Sequence, residues 1–388
     1  MDSIVTHILA LSIILVFSPY ISKFLKIQTT PIEIILGSVL GYWGWIGGDS
    51  SGGYGGSHYF DLVAEVGFLY LMFLAGLEIN LKSITKMPKI YLIKAIYFLV
   101  ILMILTPIVG HFIFKFNYII TVALPLISVG LLATLSKEYG KKDWIGLALL
   151  IGAIGEVLSI TTLTILEVAI AVGFSAELIY KISILALFLV VILGLYYLLR
   201  LIFWWYPELK NKMMPKIDNQ DQDFRLAIGI FFFMIVIMEI LHLELAFGAF
   251  IAGLFISTFF HHKKQLEKKI TSFGFGFLIP IFFIHVGTSF DYGYFVSSIC
   301  ISIKILIAMI VIKLLASLSL VKLLDIKELI LVSLSLSMPL TLLVATATVG
   351  YRAGIMQDIE YNALILASIL EVIIFMIGIK FIAKKQDR

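Results

Sequence analysis

Thirteen stretches of this sequence are apolar and almost free of charge over the length that a bilayer core demands. They cover roughly residues 4–22, 31–47, 59–79, 90–114, 117–136, 143–172, 177–200, 224–241, 244–260, 270–290, 294–321, 327–350 and 357–380. A helix needs about 20 apolar residues to cross hydrocarbon. There every backbone N–H and C=O must be satisfied within the protein, so only helices and closed barrels span. These stretches lack the two-residue alternation of barrel strands, which selects helices. The composition agrees, with 61% hydrophobic and 14% charged residues, against about 25% charged in soluble domains. The expected fold is an all-α polytopic membrane protein with about 13 transmembrane helices. The first stretch lacks a basic leader and a small-residue cleavage site, so it reads as a retained span. A single cysteine, Cys300, excludes an intramolecular disulfide and a cysteine-based metal site.

Lysine and arginine positions orient the spans. With the loop after the first stretch placed inside and sides alternating, 24 of the 29 basic residues fall inside and 3 outside. The other 2, Lys304 and Lys313, lie within the eleventh stretch. This asymmetry follows the positive-inside rule and puts the N-terminus outside and the C-terminus in the cytoplasm. A polar, proline-containing inside loop, Phe203–Asp223, lies just past the middle of the chain. It separates stretches one to six from stretches eight to thirteen, with the seventh as a linker. A step of seven inverts the topology, so inverted repeats are expected. Gly47–Ser57 reads as a flexible outside loop. The run His261-His262-Lys263-Lys264 reads as a solvated basic helix end rather than a metal tract. No Walker, GxGxxG or HExxH motif occurs, so no enzyme chemistry, cofactor, metal or nucleic-acid partner is expected.

A charge near the bilayer midplane costs about 2.5–3.5 kcal/mol on insertion scales, whereas charges near the ends snorkel to water. Depth therefore sorts the few charges within the stretches. Glu156 is central in the sixth, Glu371 near the centre of the thirteenth, Lys313 just past the centre of the eleventh, and His285 in the second half of the tenth. Lys304, Glu167, Glu65 and Glu33 lie nearer an end. The ordinary explanations are a protonated acid bonded between helices for Glu156, structural charges for Lys313 and Glu371, and a satisfied core histidine for His285. Glu156 carries a functional reading because hydroxyls follow it at Ser159, Thr161, Thr162 and Thr164. That reading is an ion or proton site. His285 is the candidate pH-modulating group.

Two stretches carry helix-breaking residues at mid-depth. The fifth, 121-TVALPLISVGLLATLSK-137, holds Pro125, Ser128 and Gly130; the twelfth, 331-LVSLSLSMPLTLLVATATVG-350, holds Ser335, Ser337, Pro339, Thr341 and Thr346. Proline removes an amide and frees a carbonyl that only neighbouring helices or a cavity can satisfy. The two stretches are seven apart, and interrupted helices in matching positions mark a transporter's site. Ser128 and Ser159 beside Glu156 are the candidate ion and proton ligands. Pro125, Gly130, Ser337, Pro339 and Thr341 would form the crossing.

Several segments together resemble the monovalent cation/proton antiporter-2 family, which includes sodium/proton exchangers and Kef-type potassium/proton exchangers. They are 31-PIEIILGSVLG-41, 63-VAEVGFLYLMFLAGLEINL-81, 247-FGAFIAGLFIS-257 and 279-IPIFFIHVGTSFD-291. The resemblance covers essentially the whole chain. It implies two crossed broken helices, a transport core of spans four to six and eleven to thirteen, and a dimerisation scaffold of spans one to three and eight to ten. It also implies a homodimer in the cytoplasmic (inner) membrane that exchanges Na+ or K+ for H+ by alternating access. The family's acid pair maps onto Gly155-Glu156, leaving one acid, and its core lysine onto Lys313. One exchanging acid implies one proton per cation. With the first acid absent, Glu371 is expected within about 4 Å of the Lys313 nitrogen, the ion-pair limit. The arginine and glutamate usual in span twelve are replaced in Pro339-Leu340-Thr341-Leu342. No nucleotide-binding domain follows Arg388 in this reading, so glutathione gating is not expected. Two alternatives stay open: a sodium-coupled importer of small organic anions with Lys313 as anchor, and a transport-inactive sensor or assembly partner.

Overall fold

The computed structural model describes residues 3–25, 28–45, 56–79, 88–140, 142–173, 176–206, 221–243, 245–260 and 264–384. Most of the Gly47–Ser57 and Phe203–Asp223 loops, His261–Lys263 and the Glu167 side chain lie outside the described parts. Every regular element among the described residues is helical. In chain order these are α1 (Ser3–Leu25), α2 (Thr29–Tyr42), α3 (Gly56–Glu78), α4 (Lys89–Pro107), α5 (Tyr118–Ala123), α6 (Gly130–Tyr139), α7 (Asp143–Val172) and α8 (Ala176–Trp205). Then come α9 (Gln222–Ile240), α10 (Leu245–Phe260), α11 (Lys264–Phe273), α12 (Ile279–Thr288), α13 (Phe295–Ser317), α14 (Ile326–Leu336), α15 (Leu340–Arg352) and α16 (Asp358–Lys384).

Among the described residues, nine helical segments are long and apolar enough to cross a membrane. The other four expected stretches are helical too, but different in kind. The second and ninth are short, at 14 residues in α2 and 16 in α10. The fifth is broken into α5 and α6. The eighth, α9, carries Asp223, Arg225 and Glu239 near its ends.

Local chemistry fixes the ends that matter. The Asn117 side chain caps α5 by accepting from the Ile120 amide at 2.8 Å, and Asp325 with Glu328 forms a capping box at the start of α14. Between α5 and α6 the chain is unwound from Leu124 to Val129, around Pro125. Between α14 and α15 it is unwound at Ser337–Pro339. In both places a proline cannot continue the amide ladder.

The chain divides into two compact units. The first holds Met1–Phe68, Leu81–Leu163 and Gly276–Arg388; the second holds Leu69–Asn80 and Thr164–Phe275. In the first unit α2 packs along α12, and α16 packs on α13, α14 and α15. Ser298 and Ser302 on α13 donate across to the Ile359 and Ala363 carbonyls of α16 at 3.1 and 2.8 Å. Such bonds between membrane helices are worth about 0.6 kcal/mol each on average. In the second unit an aromatic cluster of Tyr70, Phe73, Phe231 and Phe273 fills the core. The Tyr70 hydroxyl there donates to the Ile270 carbonyl at 3.0 Å.

Each unit contains the same close helix contact. In the first, a Cβ on Gly37 of α2 would collide with the Ile284 carbonyl, and one on Gly287 of α12 with the Ile34 carbonyl. In the second, a Cβ on Gly76 of α3 would collide with the Phe250 carbonyl, and one on Gly253 of α10 with the Phe73 carbonyl. In all four helices the glycine lies three residues after the contacted carbonyl. Small residues permit such close approach in membranes, where helices gain little from excluding water. The pair α2, α3 is echoed in the second half by α10, α12. Each contact joins the first member of one pair to the second member of the other, as an internal duplication would.

Candidate functional site

The site lies in the first unit, where the two broken helices cross. The first half of one packs on the second half of the other: α5 on α15, and α6 on α14. Each break frees backbone groups at mid-helix. A half-helix exposes unpaired amides and partial positive charge at its N-terminus, and carbonyls with partial negative charge at its C-terminus.

Glu156 answers the amide end. It sits on α7 at 1% exposure. Its Oε1 accepts from the Ser128 hydroxyl at 3.0 Å, and its Oε2 accepts from the Val129 amide at 3.4 Å. Val129 is the residue just before α6, so the carboxylate lies at that helix's positive end. Thr341 in the first turn of α15 places its Oγ1 3.5 Å from the Ser128 hydroxyl. Glu156, Ser128 and Thr341 thus bring oxygen donors from both broken helices and α7 together, the hard-ligand chemistry that suits an alkali cation. Ser159, one turn along α7, serves the backbone instead. Its oxygen accepts the Ile127 amide at 3.0 Å and holds the unwound segment in place.

Lys313 answers the carbonyl end. Its side chain is fully buried and its Nζ donates to the Leu126 carbonyl at 2.9 Å. Glu371 on α16 is also fully buried. The two groups interact electrostatically. The expected ion pair is not formed, because among the described residues no carboxylate oxygen comes within 4.0 Å of the Lys313 nitrogen. The unwound segment offers Lys313 a carbonyl that has lost its helical partner, and the ammonium takes it.

Other expected residues fall as follows. Pro125 lies in the first break and Gly130 opens α6. Pro339 directly precedes α15. Ser337 spends its hydroxyl on its own helix, donating to the Ser333 carbonyl at 2.7 Å. The place of the absent first acid, Gly155, is packed against the unwound segment, since a Cβ there would meet Ile127 Cδ1 at 2.9 Å. His285 is not an enclosed core histidine: its Nε2 lies 2.9 Å from Oδ1 of the half-exposed Asp61. Glu33 is buried and accepts from Ser18 at 3.4 Å. Sequence reasoning missed the Val129 amide and the Leu126 carbonyl. Both are backbone groups, and their only signal is the proline that frees them.

The family model for the transmembrane part of sodium/hydrogen exchangers matches residues 11–385. The putative Na(+)/H(+) antiporter YjbQ of Bacillus subtilis is 26% identical over 389 residues, covering 94% of this chain and 60% of that protein. The probable Na(+)/H(+) antiporter 3 of Methanocaldococcus jannaschii is 26% identical over 234 residues, covering 58% of each. The chain therefore spans about 60% of the length of the curated relatives it matches. The solved structure of the sodium proton antiporter MjNhaP1 from Methanocaldococcus jannaschii at pH 8 superposes with a TM-score of 0.70 and 15% identity, over 98% of this chain and 99% of that one. That likeness is one of fold.

Proposed function

Because the chain belongs to the sodium/hydrogen exchanger transmembrane family, we propose that it is a secondary active antiporter exchanging Na+ or K+ for H+ across the cytoplasmic membrane. The observation that carries this reading is Glu156, a buried carboxylate held at the break by the Ser128 hydroxyl and the Val129 amide. A proton on Glu156 excludes a cation there, and a cation excludes the proton. Alternating access then carries one in each direction. When a cation arrives, the Ser128 hydroxyl turns its lone pairs to it, and Thr341 adds a second oxygen from the other broken helix. Lys313 keeps the unwound segment in shape by neutralising its carbonyl end.

The proposed setting is a homodimer with its N-terminus outside and its C-terminus cytoplasmic. The distribution of basic residues supports that orientation. The proposed working division has spans four to six and eleven to thirteen moving as the transport core. Spans one to three and eight to ten form the dimer scaffold, and span seven links the two. The organic-anion alternative would use the Lys313 ammonium as substrate anchor, but that group is enclosed and donates to the Leu126 carbonyl.

The test is purified protein in proteoliposomes with an internal pH indicator, with Na+, K+ and Li+ added in turn. The reading expects a cation-dependent pH change for Na+ or K+. Folded protein that gives none for any cation refutes the antiport reading and favours the sensor alternative.

A further inference from the structure

Glu371 is enclosed at 0% exposure, and among the described residues no group donates to or accepts from either of its carboxyl oxygens. An ionised carboxylate in that position would be desolvated with no donor, which proteins do not tolerate without a partner. As the neutral acid it forgoes far less. Lys313 is fully buried on α13, which packs on α16, and of the three donors of its ammonium one goes to the Leu126 carbonyl. The helices packed on α16 bring their other charged and titratable groups elsewhere. On α13, Lys304 is exposed; on α14, Lys327 and Glu328 lie in the first turn; on α15, Tyr351 and Arg352 lie in the last. On α16 itself, Asp358, Glu360, Tyr361 and Lys380 lie toward the ends.

Resting on the antiport reading, we propose that Glu371 is a second proton carrier of the exchange cycle, working through a switch of Lys313 between the Leu126 carbonyl and the Glu371 carboxylate. In the proton-loaded state Glu156 and Glu371 both hold protons, and Lys313 keeps the bond to the Leu126 carbonyl that the structure shows. When a cation binds at Glu156, that carboxyl O–H bond breaks and its proton leaves. The Glu371 O–H bond breaks as well, and its proton leaves to the same compartment. The Lys313 ammonium then donates to the freed Glu371 carboxylate instead of to Leu126. No other group changes charge.

The link between the two acids is the unwound segment. Leu126 lies in it three residues before Val129, whose amide binds Glu156, and Ile127 between them is pinned by Ser159. Withdrawing the ammonium frees a carbonyl oxygen in the segment that also presents Ser128 to the cation. A cation therefore favours the lysine's move, and a proton on Glu371 opposes it. The net charge of Glu156, Glu371, Lys313 and cargo is +1 when proton-loaded and zero when cation-loaded. Two protons move per cation, one more than Glu156 alone would supply.

Two measurements on the full chain test this. The first counts protons released to a weakly buffered indicator as Na+, or K+ if that is the cargo, saturates the detergent-solubilised protein. Two per cation are expected; one per cation overturns the proposal. The second imposes a membrane potential on proteoliposomes at fixed ion gradients. The wild type should respond to the potential, and Glu371→Gln should exchange one proton per cation and lose that response. A wild type indifferent to potential overturns the proposal, as does a Glu371→Gln protein with an unchanged response. If Glu371→Gln does not fold, the proton count and the wild-type response decide. Absence of any cation-dependent proton movement in wild type would be failure of the antiport reading itself, whereas robust one-for-one exchange would be failure of the second carrier alone.

Discussion

The hydroxyl of Ser128 donates to Glu156 Oε1 at 3.0 Å, tying the unwound part of one broken helix to the middle of α7. The same hydroxyl stands 3.5 Å from Thr341 Oγ1 on the other broken helix. One serine thus connects the carboxylate to both interrupted elements, and its rotation decides whether a hydrogen or an oxygen faces the site.

Glu156→Gln is expected to abolish cation-driven proton movement while leaving the protein folded. An amide cannot exchange a proton, yet it can still meet Ser128 and Val129. Loss of a midplane charge should ease membrane insertion by about 2.5–3.5 kcal/mol. Proteoliposome pH recordings beside a detergent melting curve check this, and residual cation-dependent exchange in the variant would remove Glu156 from the mechanism.

Ser128→Ala should leave exchange in place but raise the cation concentration needed for half-maximal rate. A hydrogen bond to a charged group is worth about 1.5–3 kcal/mol, which corresponds to a loss of roughly tenfold or more. Thr341→Ala, one oxygen further out, should have a smaller effect. An unaltered half-maximal concentration for Ser128→Ala would exclude its hydroxyl as a cation ligand.

The reciprocal glycines should tolerate nothing larger. Gly37→Ala and Gly253→Ala each drive a methyl into a backbone carbonyl, and overpacking of this kind costs about 1–3 kcal/mol. Gly194→Ala, where nothing lies within 4 Å, serves as the control. Thermal unfolding in detergent should rank both locked variants below wild type and the control beside it.

Asp61→Asn should change stability by less than about 1 kcal/mol, since its partner His285 is reached at a half-exposed carboxylate and exposed pairs contribute little. A large drop in melting temperature would show that the pair clamps α3 to α12 more firmly than its exposure implies.

Much of this was readable from the letters. Pro125 and Pro339 marked both breaks, because a missing amide is a property of the residue itself. Depth alone singled out Glu156, Lys313 and Glu371. What escaped was which partner each charge takes. Lys313 chose the Leu126 carbonyl over a carboxylate, and backbone acceptors carry no residue signature. The internal duplication was expected from the step of seven, but the helix contacts that carry it were not. Gly37 and Gly253, or Gly76 and Gly287, share little beyond a glycine, and only the carbonyl that each one meets shows their equivalence.

Those four glycines also bear on how the chain can be assembled. Each contact draws one helix from the first half of the sequence and one from the second: α2 with α12, α3 with α10. Severed between α8 and α9, each fragment would carry two bare backbone faces whose matching carbonyls reside on the other fragment. Expressed singly, neither piece should settle into a stable bundle. Expressed together, they should find one another in the bilayer, so that fragment complementation becomes a natural assay of the interlaced halves.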